Sequence, residues 1–144
     1  MRTVIQRVNF ARVRVDGKIV GEIGKGFLIL AGFAAGDSEE SCIKAAKKIG
    51  GLRIFSDEND KINLALKDVG GEILCISQFT LYADCAHGNR PSFTNAARPE
   101  IAEPLYDFFC DALNEYAHTE RGIFGADMKV ELENDGPFTL VIDN

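Results

Sequence analysis

A chain of 144 residues, 46% hydrophobic and 26% charged, is expected to fold as a single domain over residues 1–144 with a real core. No apolar run approaches the roughly 20 residues that span a bilayer, and "MRTVIQRV" lacks the unbroken apolar stretch of an export signal, so a cytoplasmic protein with no membrane partner is expected. The net charge of −6 argues against a nucleic-acid partner only on average: residues 1–53 hold ten Lys/Arg against five acids, or +5, and residues 54–144 six against seventeen, or −11.

The opening "TVIQRV" alternates, and "RVRVDGKIVGEI" sets Asp16-Gly17 between two alternating runs, the pattern of a two-residue hairpin turn. "FLILAGF" is a continuous apolar run of strand length, as for a strand covered on both faces. "GDSEESCIKAAKKIGG" supplies Asp37 or Ser38 as an N-cap, acids in the first turn, apolar residues at helical spacing and Gly50-Gly51 as a stop. "LRIF" reads as a strand, "SDENDKINLALKDVGGE" as a long polar excursion and "ILCISQFTL" as a second buried strand. A loop follows over residues 83–99, rich in turn formers. Ile101, Leu105, Phe108, Phe109, Ala112, Leu113 and Tyr116 then form one helical stripe, with the helix expected to start near Glu103 and to hold Pro104 at its first position. "MKVELEN" and "FTLVID" close the chain as two strands separated by the turn-like "NDGPFT". About seven strands and two main helices give the expected class: α/β, predominantly sheet, layered β/β/α with the helices covering one face.

The four cysteines, Cys42, Cys75, Cys85 and Cys110, have no Cys-x-x-Cys spacing and only two histidines beside them, so they read as buried, inert thiols and no metal site is expected. The glycine-rich "GEIGKGF" and "DVGGE" match neither a phosphate loop nor a dinucleotide fingerprint. His87 and His118 stand in no recognisable nucleophile setting, and a small-ester hydrolase using Thr80 and His87 is a minor alternative. What stands out is "SQFTLYAD", where a buried strand ends in a Ser-Gln-x-Thr cluster. An unsatisfied buried hydroxyl or amide costs on the order of 1 to 3 kcal/mol. Ser77, Gln78 and Thr80 therefore either satisfy neighbouring backbone or rim a pocket.

"SQFTLYAD", "RPSF" (residues 90–93), "FGADM" (124–128) and "NDGPFTL" (134–140), with "VIQRV", "RIF" and "DVGGE" in order between them, resemble the D-aminoacyl-tRNA deacylase family along essentially the whole chain. The resemblance implies a homodimer with active sites at the subunit interface, the Ser-Gln-x-Thr strand of one subunit meeting the Gly-Pro of the other. It implies hydrolysis of the ester joining a D-amino acid, or glycine, to the 3′ acceptor end of tRNA, with no metal or organic cofactor. A silent module that only binds that end is the alternative from another class.

On this resemblance Gly136-Pro137 is a cis dipeptide whose backbone bars L-side chains, a rejection by hard atoms that a soft apolar pocket does not provide. Phe79 and Thr80 carry the chemistry, the backbone N–H groups there serving as oxyanion donors. Thr80 is read as a positioning residue, with covalent nucleophile as the competing role. Ser77, Gln78, Gly136, Pro137, Arg7 and Met128 bind substrate or shape its site, Arg7 at a position that holds the partner's Gly-Pro loop. The basic N-terminal third would then face the tRNA. Two residues depart from the pattern: Phe138 follows Gly-Pro where a smaller Val is usual, and Pro104 enters a helix that usually lacks it.

Overall fold

The computed structural model describes residues 1–144. Its centre is β1 (Arg2–Val15), which turns at Asp16 and Gly17, both at positive φ, into β2 (Lys18–Ile23). The expected hairpin is present. β3 (Gly26–Gly32) pairs antiparallel with the first half of β1, and β6 (Glu72–Ser77) and β7 (Thr119–Arg121) add to it in parallel, giving the order β2-β1-β3-β6-β7. β8 (Lys129–Asp143) pairs antiparallel with the other edge of β1 from Arg2↔Asp143 to Arg14↔Lys129. β4 (Arg53–Ser56) and β5 (Ile62–Ala65) form a separate ribbon.

Alternation along β3 and β6 divides the core into two layers. Phe27, Ile29, Ile73 and Cys75 face a 22-residue cluster that includes Cys42, Ala45, Ala46 and Ile49 of α1 (Glu39–Gly50) and Leu105, Phe109, Cys110 and Leu113 of α3 (Pro99–Asn114). Leu28, Leu74 and Ile76 face the other way, onto Val8, Ala11, Val13 and Ile23. The expected β/β/α layering thus follows from a helix layer and a strand layer on opposite sides of β3 and β6. β1 serves both because its inward parity changes between Val8 and Ala11, where its register with β8 shifts.

α1 begins as its sequence requires, Ser38 accepting from the Ser41 N–H, with Glu39 and Glu40 in the first turn and Lys47 and Lys48 in the last. α3 corrects the expectation around Pro104. It starts at Pro99, its first position, and runs through Pro104 unbroken. The N–H that Pro104 lacks would have bonded the carbonyl of Glu100, an exposed first-turn residue whose carbonyl water can serve. The polar excursion holds β5 and the short α2 (Leu66–Val69), which Asp68 closes by accepting from the Ala65 N–H at 2.8 Å. β7 is a further strand beyond those expected. Three of the four thiols are buried; Cys85 is exposed. Desolvation raises the Cys42 thiol to about 11, which keeps it protonated and unreactive.

The largest revision concerns "NDGPFT". It separates no strands: β8 is continuous, pairing Asn134 with Val8 and Thr139 with Gln6. The four residues Asp135, Gly136, Pro137 and Phe138 therefore face the single Arg7 of β1, and the three surplus ones bulge out with Gly136 and Pro137 exposed. A proline is tolerated there because β8 is an edge strand and the bulge needs no ladder bond.

No helix is long and apolar enough to cross a membrane.

Candidate active site

β6 is expected to run on through Leu81, but it ends at Ser77. The Gln78 N–H still donates to the Ala31 carbonyl at 2.8 Å, then residues Phe79–Tyr82 coil into a 3₁₀ turn. The Leu81 and Ala83 N–H groups bond back to Gln78 and Thr80. The first N–H groups of such a turn have no acceptor within it, and those of Phe79 and Thr80 make no hydrogen bond. The turn lies tight on β3 because Gly32 has no side chain; a Cβ there would meet the Gln78 carbonyl oxygen at 2.9 Å. Arg2 pins it from the other side, Nη1 donating to the Leu81 carbonyl at 2.9 Å while Nε bonds Asp143 at 2.6 Å. Neither Gly32 nor Arg2 stands out in the sequence, although a glycine ending an apolar strand signals close backbone approach.

Beside this turn opens a cavity of about 600 Å³. Ser77, Gln78, Phe79 and Met128 line it, as do Phe33, Phe93 and Phe124 from distant segments. Phe79 and Phe93 meet edge to face at 5.1 Å and form an exposed aromatic rim. The wall is mostly hydrocarbon, with Arg98 its single ionisable residue. The Thr80 hydroxyl accepts from the Gln78 amide, lies outside the cavity lining and is exposed. Of the two open readings of the Ser-Gln-x-Thr cluster, the rim of a pocket describes Ser77 and Gln78. His87 makes no hydrogen bond and does not border the cavity, and His118 pairs with Glu120. His, Cys, Asp and Glu form no group of three able to hold a metal ion.

The other expected site residues gather elsewhere. The Gly136–Pro137 bond is cis, and neither residue borders the cavity of its own chain. Arg7 holds this bulge, its Nε donating to the Asp135 carbonyl at 2.8 Å and its Nη1 to the Ile54 carbonyl of β4 at 2.6 Å. Its guanidinium lies 4.7 Å from the Phe138 ring centroid, so the larger residue at this position gives the arginine an aromatic face to stack on. The loop that Arg7 grips within this chain is its own. Asn134 went unnoticed in the sequence. Its Oδ1 accepts from the Phe138 N–H at 2.6 Å, and its Nδ2 donates to the Phe138 carbonyl and the Thr139 hydroxyl, both at 3.2 Å.

The basic N-terminal third offers less free charge than its composition promised. Arg2 pairs with Asp143, Arg7 with Asp135, Arg12 with Glu22 and Glu131, and Arg14 with Glu131. Strand pairing lays the cationic start of the chain against its acidic end.

A model of the family described as D-Tyr-tRNA(Tyr) deacylase matches residues 4–143. The chain is 60% identical to the D-aminoacyl-tRNA deacylase of Lactobacillus delbrueckii subsp. bulgaricus and 59% identical to that of Lactobacillus acidophilus, each over 99% of both chains. Among solved structures, one described as a c-Myc DNA Unwinding Element Binding Protein superposes with a TM-score of 0.94 at 37% identity, covering 100% of this chain and 99% of that one. A probable eukaryotic D-amino acid tRNA deacylase shares the fold, with a TM-score of 0.85 at 19% identity over 99% and 98% of the two chains.

Proposed function

The chain belongs to the D-Tyr-tRNA(Tyr) deacylase family, and from that membership we propose how its site works. The protein is a hydrolase that removes the amino acid from D-aminoacyl-tRNA. The tRNA ends in an adenosine that carries the ester. The aromatic cavity has the size and stacking surface for that terminal nucleoside, which brings the ester carbonyl to the turn at residues 79–82. The unbonded N–H groups of Phe79 and Thr80 are the single observation that carries this reading, because they are donors free to meet a developing oxyanion.

Hydrolysis then runs by direct attack of water. The water oxygen adds to the carbonyl carbon, the negative charge passes to the carbonyl oxygen facing the two N–H groups, and collapse breaks the ester C–O bond. The water proton goes to the departing ribose oxygen, with the neighbouring 2′-hydroxyl as relay, leaving free D-amino acid and deacylated tRNA. An activated ester needs positioning more than a strong base, and no imidazole or carboxylate lines the cavity. Thr80 positions Gln78 through their hydrogen bond and forms no covalent intermediate.

Handedness is read across a homodimer. Gly136 of the partner subunit and Pro137 of the partner subunit close the site, and an L-side chain would strike their backbone while a D-side chain or glycine's hydrogen passes. The reading is supported by the exposure of this bulge, its absence from its own chain's cavity lining, and the double grip of Arg7 and Asn134 that stiffens it. Apolar contacts discriminate one methylene by only about 1 to 3 kcal/mol, so rejection by fixed main-chain atoms suits the task. The deciding experiment incubates the purified protein with D-tyrosyl-tRNA and L-tyrosyl-tRNA: release of D-tyrosine alone is expected, and equal release or equal inertness would sink the reading. Binding of the charged tRNA without release would instead identify an end-binding module.

A further inference from the structure

One charged side chain at the cavity has no part in the hydrolysis, and the role assigned to it here rests on the cavity being the seat of the terminal nucleoside. Six of the eight arginines are engaged by other groups: Arg2, Arg7, Arg12 and Arg14 by carboxylates, Arg53 by Asn63, and Arg121 by Asp107 and Asp111. Arg90 and Arg98 alone have neither a side-chain hydrogen bond nor an ion pair, and in the sequence they flank Phe93, which lines the cavity. No lysine and no acid lines that cavity, so Arg98 is the one charge on its wall.

The backbone fixes where this charge stands. Arg98 precedes Pro99 and is held extended, at φ −66° and ψ 155°, while its carbonyl accepts from the Ile101 and Ala102 N–H groups at the head of α3. A guanidinium there presents a planar fork of donors that matches the oxygens of a phosphate. In a chain of net charge −6, a lone cation beside an uncharged nucleoside cavity has an evident complement. It is the phosphodiester that joins the terminal nucleoside to the nucleotide before it.

We propose that Arg98 binds this phosphodiester, so that the site recognises a nucleotide end rather than a nucleoside ester. The probe is adenosine 5′-monophosphate against adenosine, each as an inhibitor of D-tyrosyl-tRNA hydrolysis by the full chain. The phosphorylated compound inhibits about tenfold more strongly, as befits one charge-assisted contact. Arg98→Ala removes that difference, the two compounds becoming equal inhibitors, and Arg98→Lys keeps part of it. The proposal is overturned if the monophosphate inhibits the unaltered protein no better than adenosine, or if Arg98→Ala keeps the preference. A protein with no D-tyrosyl-tRNA hydrolysis to inhibit would instead remove the reading of the site itself.

Discussion

The Asn134 side chain pairs with both backbone groups of Phe138, accepting from its N–H at 2.6 Å and donating to its carbonyl at 3.2 Å. An amide thereby does what a neighbouring strand would do, and it closes the bulge that holds Gly136 and Pro137. Asn134→Ala leaves the half-buried Phe138 N–H without a partner, which costs about 1 to 3 kcal/mol. It is expected to lower D-tyrosyl-tRNA hydrolysis at least tenfold by loosening the bulge, while Asn134→Asp, which keeps the acceptor, retains more of both. Urea unfolding and kcat/KM on the same preparations check this.

Arg7 ties the Asp135 carbonyl to the Ile54 carbonyl, and its side chain is only 11% exposed. Arg7→Lys keeps the charge but cannot bridge two carbonyls or stack as a plane on Phe138. It is expected to destabilise by on the order of 2 kcal/mol and to raise hydrolysis of L-tyrosyl-tRNA relative to D as the wedge gains freedom. An unchanged D-to-L ratio in such a variant would show that Arg7 serves stability alone.

A Cβ on Gly136 would lie 2.5 Å from the Phe138 backbone nitrogen. Gly136→Ala must therefore reshape the bulge, yet the site is exposed and outside both core clusters. The expected outcome is a folded protein by circular dichroism with D-specific activity reduced a hundredfold or more. Full activity would contradict the steric account.

Thr80→Ala should keep measurable turnover, within about a hundredfold of the parent, because the hydroxyl only braces Gln78. His87→Ala should be unchanged, since that side chain makes no hydrogen bond and lies off the cavity. Complete loss in Thr80→Ala with tRNA binding intact would assign it a covalent role, and loss in His87→Ala would revive a side-chain base.

Stability should fall in acid through the β1–β8 pairs. Hydrogen bonds from Arg12 and Arg14 hold the Glu131 carboxyl below its ordinary 4.5, and Arg2 holds Asp143 below 3.8. A carboxyl whose folded pKa is depressed contributes stability above its unfolded pKa and loses it as pH falls through the folded one. The transition temperature is thus expected to drop as pH goes below about 4.5, by less in Glu131→Gln and by less at high salt, because these pairs are partly exposed and screened. A Glu131→Gln profile parallel to the parent's would remove this contribution.

Where local physics decides an element, the sequence announced it. The Asp16-Gly17 turn, the apolar runs of β3 and β6 and the stripe of α3 all depend on near neighbours. Pro104 and Pro137 misled for one reason, since each was read by what proline forbids locally, whereas a solvated carbonyl and an edge-strand bulge made room for it. α2 and β7 are too short to show a period. The Ser-Gln-x-Thr cluster stood out because polar residues interrupt an apolar run, which left open whether it rims a pocket, and Phe33, Phe93 and Phe124 come from separate segments that meet only in three dimensions. The grip of Arg7 on its own chain, and the pairing of Arg12 and Arg14 with Glu131, depended on β8 lying beside β1, a long-range register that no local pattern carries.

That register also sets an order of events. The pairing partners Val8 and Asn134 stand 126 positions apart, and closing a loop of that length costs about 4 kcal/mol in chain entropy. The first strand must therefore wait with one edge bare while the rest of the polypeptide leaves the ribosome. On the proposed mechanism the segment that judges handedness is delivered by the last strand to join, and Val130 of that strand is also the last piece of the cavity wall to arrive.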